Sequence, residues 1–336
     1  MAQTYDQILS DIRKKKVANL YFLTGEEPYF IDMISDTIEN EALDEADKAF
    51  NQIVVYGRDV DVDTIAEHAR SFPMMGDKMV VIVKEAQDLK NVEDFEKYLD
   101  AIPETTILVF AYKYKKLDKR KSFAKQIDKR GILFESKKLY DNNIPSWIRE
   151  RLKESGYTIS PKAEQMLADF LGTDLHKINN ELTKLTIAVP KGKRIEDIDI
   201  ERNIGISKDF NVFELQNAIG TRDVLKANQI VNYFGDNAKE NPLLVTAITL
   251  YGYFTKLLKG HYATDRSRNG LATALGVNPF FLNDYMTAMS NYSIADCVRC
   301  IAILREFDLK AVGYNNGDVN EKDLYREMIF RILHNV

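Results

Sequence analysis

The first third of the chain alternates short apolar runs with longer segments of mixed polarity. Five runs rich in branched and aromatic residues recur at intervals of about 25 residues, at Leu20–Leu23, Ile53–Tyr56, Met79–Val83, Ile107–Phe110 and Ile132–Phe134. Runs of this length and composition predict β-strands, and the segments between them are long enough for crossover helices. This part of the chain therefore predicts a mostly parallel sheet covered by helices.

After Leu139 the strand pattern fades and helical spacing of apolar residues takes over. Ser160-Pro161 predicts a helix start, Gly172 predicts its end, and the segment 242–259 is apolar around much of its circumference, as in a helix buried between others. We predict an α/β plus α fold with a parallel-sheet domain over 1–139, a small helical domain over 140–206 and a C-terminal helical domain over 207–336.

Composition changes this picture little. The 336 residues carry a net charge of −5 and are 45% apolar, which is ordinary for a globular chain and argues against a wholly basic nucleic-acid binder. No apolar run approaches the roughly 18 residues of a membrane span. The first residues lack the apolar core of a signal peptide, and the cysteines number only two. We therefore predict a cytoplasmic location.

The two cysteines, Cys297 and Cys300, form a CxxC in a segment with helical apolar spacing. A structural zinc site needs about four ligands, and no second cysteine pair or histidine pair lies nearby in sequence. A redox motif would need a thioredoxin-like strand before it, which the pattern does not show. We therefore favour two helix-packing residues, and we predict no metal site and no catalytic residue in this chain.

The junction Leu20-Tyr-Phe-Leu-Thr-Gly-Glu-Glu-Pro-Tyr-Phe30 reads as a strand, a glycine turn and a helix start, which is where many α/β proteins bind phosphate. A P-loop needs a second glycine, a lysine and a hydroxyl residue, and all three are missing after Gly25. Glu26 and Glu27 would repel phosphate, and Pro28 removes an N–H donor. The turn therefore predicts no nucleotide cofactor.

The third predicted strand ends in Val83-Lys84-Glu85. A P-loop ATPase carries an acidic pair after such a strand, to hold magnesium and activate water. Lys84 stands where the magnesium-binding acid would be. Two independent failures at the expected places predict that this chain does not hydrolyse ATP.

The order of these features resembles the delta subunits of bacterial DNA polymerase III, the clamp-loader subunits that open the sliding clamp. The matching pieces, in order, are LYFLTGEEPYF, ARSFPMMGDKMVVIVKEA, IPSWIRERLKESGYTISPKA and DFNVFELQNAIGTRDVLKANQI. The resemblance implies that 1–139 is an AAA+-like domain that binds the clamp but not ATP, and that 207–336 joins a collar of loader subunits.

The resemblance also implies the partners. They are the sliding clamp (the beta subunit), the gamma/tau and delta-prime subunits through 207–336, and primer–template DNA through the whole complex. The chain would have no ATPase or polymerase activity of its own, although it would belong to the polymerase III holoenzyme, a DNA-directed DNA polymerase and nucleotidyltransferase.

The segment Arg70-Ser-Phe-Pro-Met-Met-Gly-Asp-Lys78 joins a predicted helix to the third predicted strand. Aromatic and methionine side chains are typical interface anchors. By resemblance to the delta subunits, we expect Phe72, Pro73, Met74 and Met75 to enter a hydrophobic pocket of the clamp. The alternative is that these side chains fold back onto the sheet, and Phe72 is the one for which core packing is most expected.

A basic stretch after the fourth predicted strand interleaves lysines with Tyr112 and Tyr114. Such a pattern can contact phosphates and stack on bases. A solvated helix face is the alternative, and we favour it. The candidate DNA contacts are Lys113, Lys115, Lys116, Lys119 and Arg120.

Two other functions share the architecture. One is an AAA+ ATPase, active or with a degenerate loop, which the Gly25 turn and Lys84 argue against. The other is a stator like the delta-prime subunit of the same loader. That relative usually carries a zinc-binding cysteine cluster and an arginine finger in a Ser-Arg-Cys context, and the sequence contains neither.

Overall fold

The computed structural model describes residues 3–74, 76–207, 209–314 and 319–334. The chain divides into two compact units, Met1–Leu139 and Tyr140–Val336. The first unit holds the predicted sheet and the second is almost entirely helical. The predicted α/β plus α fold class is confirmed.

The sheet of the first unit contains five parallel strands in the spatial order β2-β3-β4-β1-β5. All five predicted strands are confirmed. Their bounds are β1 Leu20–Gly25, β2 Gln52–Tyr56, β3 Met79–Lys84, β4 Thr106–Lys113 and β5 Ile132–Ser136.

Helices connect these strands and cover the sheet. The α-helices are α1 Tyr5–Arg13, α2 Pro28–Glu41, α3 Glu45–Asn51, α4 Val62–Arg70 and α5 Ser122–Arg130, and two 3-10 segments cover Ala86–Asp88 and Val92–Ala101. Pro28 occupies the first turn of α2, as predicted, and the Glu27 carboxylate accepts a hydrogen bond from the Tyr29 N–H there.

Both faces of the sheet are buried, as crossover helices require. Side chains alternate along each strand, so Phe22 and Val81 pack on the face covered by α4 and α5, whereas Tyr21 and Val80 pack on the face covered by α1 and α2. The strands therefore read as near-continuous apolar runs, which is why they were recognisable in the sequence.

The second unit begins with helices and a short two-stranded parallel sheet that the sequence did not predict. Ser160 caps α7 through a hydrogen bond from the Ala163 N–H, and Gly172 ends it, as predicted. The elements up to residue 204 are α6 Ile144–Glu154, β6 Thr158–Ile159, α7 Pro161–Leu171, α8 Leu175–Ala188, β7 Arg194–Ile195 and α9 Asp197–Ile204.

The remainder of the second unit is helical, with one large core of aromatic and aliphatic side chains. The predicted boundary between 206 and 207 stays a prediction. The helices are α10 Val212–Gly220, α11 Val224–Asp236, α12 Leu243–His261, α13 Arg268–Leu275, α14 Leu282–Asn291, α15 Ile294–Ala311 and α16 Glu321–His334, with a 3-10 turn at Pro279–Phe281.

Helix α12 differs from its prediction. Ala247, Leu250 and Phe254 are buried, but Val245 and Ile248 on the other side of the helix are exposed. The helix is therefore not surrounded by others, and its second apolar stripe faces solvent in the isolated chain.

Cys297 and Cys300 are buried free thiols on α15. Burial raises the pKa of the Cys297 thiol to about 11 and that of Cys300 to about 12. Thiols held so firmly in the protonated form are poor nucleophiles and poor metal ligands, which agrees with a packing role. Among the described residues, no cluster of metal-ligating side chains is found, and no helix there is long and apolar enough to cross a membrane.

Candidate functional site

The carboxyl edge of the sheet is where parallel α/β proteins usually bind ligands. Here three backbone amides of the turn after β1 already donate to acceptors of the protein itself. The Gly25 N–H donates to the Lys115 carbonyl at 2.9 Å, and the Glu26 N–H donates to the Ser136 carbonyl at 3.0 Å. Pro28 has no N–H, and the next amide, of Tyr29, donates to the Glu27 carboxylate at 3.2 Å. The turn is closed by the protein's own acceptors.

Gly25 serves the packing of this turn against β5. Its φ is +135°, and a Cβ placed on it would lie 2.0 Å from the Ser136 carbonyl oxygen. A side chain would therefore clash with backbone. The glycine that the sequence offers as a phosphate-loop residue is required for close contact between β1 and β5.

Two lysines at the same edge are held by acidic side chains of the chain itself. Lys113, at the end of β4, lies 2.8 Å from Asp32 of α2 and 2.5 Å from Glu85. Lys84, at the end of β3, lies 2.6 Å from Glu39 and 3.2 Å from Asp36. Three carboxylates of α2, those of Asp32, Asp36 and Glu39, are thus paired with strand-end lysines.

The pKa values reflect these pairs. Burial by itself lowers the pKa of the Lys113 ammonium, but the hydrogen bonds and charges of Asp32 and Glu85 raise it more, so it lies above its ordinary value. Burial raises the pKa of the Glu85 carboxyl, and its contact with Lys113 lowers it below the ordinary range. Both groups are therefore charged at neutral pH.

The other predicted DNA-contact cations are also engaged within the first unit. Lys115 donates to the Gln87 carbonyl at 3.1 Å, and the remaining three pair with carboxylates: Lys116 with Glu26 at 3.1 Å, Lys119 with Glu135 at 2.5 Å and Arg120 with Asp118 at 2.9 Å. Any DNA contact there would compete with these acceptors. Their role toward DNA stays a prediction.

The segment Ser71–Lys78 lies at the opposite, amino edge of the sheet. It leaves α4 at Arg70 and enters β3 at Met79. We call it the tip. Phe72 is 77% exposed and Met74 is 63% exposed, whereas Pro73 is half-buried. The core-packing alternative for Phe72 does not hold, because its ring projects from the surface. Met75 lies outside the described residues.

Both ends of the tip are tied to the body of the first unit. The Ser71 hydroxyl donates to the Glu67 carbonyl at 3.0 Å at the end of α4. The Lys78 ammonium donates to the Glu104 carbonyl at 2.7 Å, and the Met79 N–H donates to the Thr105 carbonyl at 2.9 Å. The apolar side chains are therefore carried on a segment with fixed ends.

A buried residue distant in sequence holds the middle of the tip. The Asn51 side chain hydrogen-bonds both backbone groups of Met74, 23 residues away. Sequence analysis missed Asn51, because a single asparagine between a helix and a strand carries no pattern that links it to a later loop.

The part of the chain that contains both sheet edges matches a known protein family. Residues 21–137, which contain both edges of the sheet, match the family model described as DNA polymerase III, delta subunit. The chain is similar to the delta subunit of DNA polymerase III. The resemblance stated from the sequence is thereby confirmed.

Two relatives extend the similarity to delta subunits beyond this region. The DNA polymerase III subunit delta of Bacillus subtilis (strain 168) is 26% identical over 287 residues, covering 81% of this chain and 82% of that one. The solved structure of the Bacillus subtilis DNA clamp loader delta protein shares the fold, with a TM-score of 0.57, 24% identity, and coverage of 98% of this chain and 100% of that one. Together with the family model, the curated relative supports assignment as a delta-type subunit of a DNA polymerase III clamp loader.

Proposed function

We propose that this chain binds and opens the DNA sliding clamp through the tip, without hydrolysing ATP itself. The observation that carries the proposal is the exposure of Phe72 and Met74 on a segment with fixed ends, in a chain similar to delta subunits. Exposing large apolar side chains to water is unfavourable in the free protein. Covering them with a partner's pocket removes this apolar surface from water and so favours binding.

The tip has the chemistry of an interface anchor. Burying Phe72 and Met74 in an apolar pocket would contribute about 2 kcal/mol each, before the costs of association. Binding of this kind opens a clamp only if the tip makes better contacts with the open state than with the closed state. We therefore place the tip's target beside a clamp subunit interface.

The absence of ATP hydrolysis is supported by the carboxyl edge. The Gly25 and Glu26 amides donate hydrogen bonds to the carbonyls of Lys115 and Ser136. Lys84 and Lys113 form ion pairs with carboxylates of α2 and, for Lys113, with Glu85. A nucleotide would have to break these contacts and place its phosphates beside Glu26. Other loader subunits would supply the ATP energy and expose or mask the tip.

The remaining partners follow from the similarity to delta subunits. We propose that 207–336 joins the gamma/tau and delta-prime subunits in the loader's collar. Primer–template DNA would be handled by the assembled complex.

Calorimetric titration of the chain into its cognate sliding clamp, without nucleotide, tests the proposal. The wild type is expected to bind, and Phe72→Ala/Met74→Ala is expected to lose about 100-fold in affinity, which corresponds to removing two anchor side chains. The control is Tyr114→Ala, which truncates an equally exposed aromatic residue, 63% exposed, after β4 at the other edge.

Clamp opening is tested separately, by release of a closed clamp from nicked circular DNA upon addition of the wild-type chain. Release without ATP supports opening by binding alone. Failure of the wild type to bind the clamp at tens of micromolar, together with measurable ATP binding, would overturn the proposal and restore the ATPase alternative.

A further inference from the structure

Asn51 lies where α3 ends and β2 begins, and its side chain is fully buried. Its position is fixed on both sides. Helix α3 precedes it, and the adjacent Gln52 pairs in parallel with Val80 of β3. Because parallel strands start at the same edge of a sheet, Asn51 lies beside the point where the tip enters β3.

The Asn51 amide makes two hydrogen bonds to one residue of the tip. Its Oδ1 accepts the Met74 N–H at 2.6 Å, and its Nδ2 donates to the Met74 carbonyl at 2.9 Å. These bonds require an acceptor and a donor side by side, which an amide side chain provides at neutral pH. They restrain the backbone of Met74 at both its N–H and its carbonyl.

Gly76 lies against the same Asn51 amide. A Cβ on Gly76 would lie 2.8 Å from Asn51 Nδ2 and 3.4 Å from Asp47 Oδ1, so a side chain at this position would press on the buried amide. The absence of a side chain at Gly76 therefore leaves the Asn51 amide in place to bond Met74.

We propose that Asn51 is a positioning residue that holds the tip in its clamp-binding conformation before the clamp arrives. This inference rests on the proposed function, because it assigns Asn51 a role in the same contact. A segment that is ordered in advance does not pay its conformational entropy upon binding. A buried amide that lost either bond would also be left unsatisfied, so the held conformation is strongly preferred over a released one.

Amide hydrogen exchange at Met74 tests whether Asn51 holds the tip. In Asn51→Ala, exchange of the Met74 N–H is expected to speed up about tenfold or more, since one buried hydrogen bond is worth about that factor. In Asn51→Asp, the N–H keeps an acceptor but the carbonyl loses its donor, so an intermediate rate is expected.

Two controls separate local release from general loosening. Asn40→Ala removes another asparagine side-chain bond, Nδ2 to the Asp36 carbonyl at 2.8 Å in α2, which does not involve the tip, and should leave Met74 exchange unchanged. The amide of Val81 in the buried strand β3 reports global opening, so Met74 must accelerate relative to Val81 in the Asn51 variants. Equal acceleration of both amides, or no acceleration at Met74, would overturn the inference.

Clamp titration then tests whether the held conformation matters for binding. Asn51→Ala is expected to weaken affinity about tenfold with Phe72 and Met74 intact, and Asn40→Ala is expected to bind like the wild type. Faster Met74 exchange with unchanged affinity would refute the positioning role. If the wild type itself does not bind the clamp, the proposed function fails. If the wild type binds and Asn51→Ala binds with the same affinity, only the present inference fails.

Gly76→Ala supplies an independent variant if Asn51→Ala does not fold. It keeps the Asn51 amide but pushes against it, so it should accelerate Met74 exchange and weaken clamp binding in the same direction. Wild-type behaviour of Gly76→Ala in both measurements would contradict the proposal.

Discussion

The two edges of the five-stranded sheet differ in what their side chains contact. At the carboxyl edge, charged residues pair with one another, and the turn amides donate to the chain's own carbonyls. At the amino edge, internal bonds fix only the backbone of the tip and leave Phe72 and Met74 exposed. One edge is satisfied without a ligand, and the other presents apolar surface that only a partner can cover.

This difference shows how the carboxyl edge of a parallel sheet can be stabilised by the chain's own side chains and carbonyls. The places that would bind phosphate and magnesium are occupied by Lys84, Lys113 and the carbonyls of Lys115 and Ser136. A buried polar group without a partner costs about 1 to 3 kcal/mol, so these internal partners stabilise the carboxyl edge in the absence of a ligand.

The largest expected effect is on stability at the carboxyl edge. Lys113→Met leaves Asp32 and Glu85 facing each other without their cation, and we expect a loss of about 2 kcal/mol in the free energy of unfolding. Their side chains are 25% and 34% exposed, which keeps the loss below that of a fully buried pair. Urea unfolding measures it. Lys116→Met, which removes an exposed pair with Glu26, should lower the free energy of unfolding by about 0.5 kcal/mol or less. Equal losses in Lys113→Met and Lys116→Met would show that the Lys113 cluster is no more important than an exposed ion pair.

At the amino edge we expect the reverse, a change in binding without a change in stability. Phe72→Ala and Met74→Ala should each lower clamp affinity about tenfold, because each removes one anchor. Each should change the free energy of unfolding by less than about 0.5 kcal/mol, because the side chains contact little of the protein. Thermal unfolding and clamp titration of the same samples measure both, and a large loss of stability would mean that these side chains belong to the core.

A smaller effect should depend on pH. Since the pKa of Glu85 is lowered in the folded chain, its contribution to stability is present above the ordinary carboxyl pKa of 4.5 and is lost as pH falls through the folded value. The stability difference between wild type and Glu85→Gln should therefore be largest at pH 7, about 0.5 kcal/mol after solvent screening, and should shrink below pH 4. Urea unfolding across this range measures it, with Phe72→Ala as a variant whose difference should not change with pH.

The smallest expected effect is none. Millimolar Mg-ATP should leave the melting temperature within about 1 °C of its value in salt of equal ionic strength, because a ligand stabilises only a fold that binds it. Scanning calorimetry measures this. Stabilisation that rises with ATP concentration would show that the carboxyl edge opens for nucleotide and would remove the contrast between the two edges.

Much of the fold was predictable because both faces of a crossover-covered sheet must be apolar. The five strand runs were visible for that reason, and Pro28, Ser160 and Gly172 marked helix ends by their local chemistry. The short pair β6 and β7 was not predictable, because two residues in each strand carry no periodic signal. The second stripe of α12 was misjudged, because hydrophobicity does not say whether a face is covered by the same chain or left exposed.

The candidate site divides in the same way. The missing glycine, lysine and hydroxyl of a phosphate loop after β1 could be read from the amino-acid order, since a motif that depends on fixed spacing can be judged from spacing alone. The same order also showed that apolar residues cluster between α4 and β3. Three features became visible in the folded chain alone: the exposure of Phe72, the pairing of Lys113 with Asp32 and Glu85, and the bonds from Asn51 to Met74, 23 residues away. These contacts join residues far apart in sequence, and the sheet brings them together because parallel strands gather their ends at common edges.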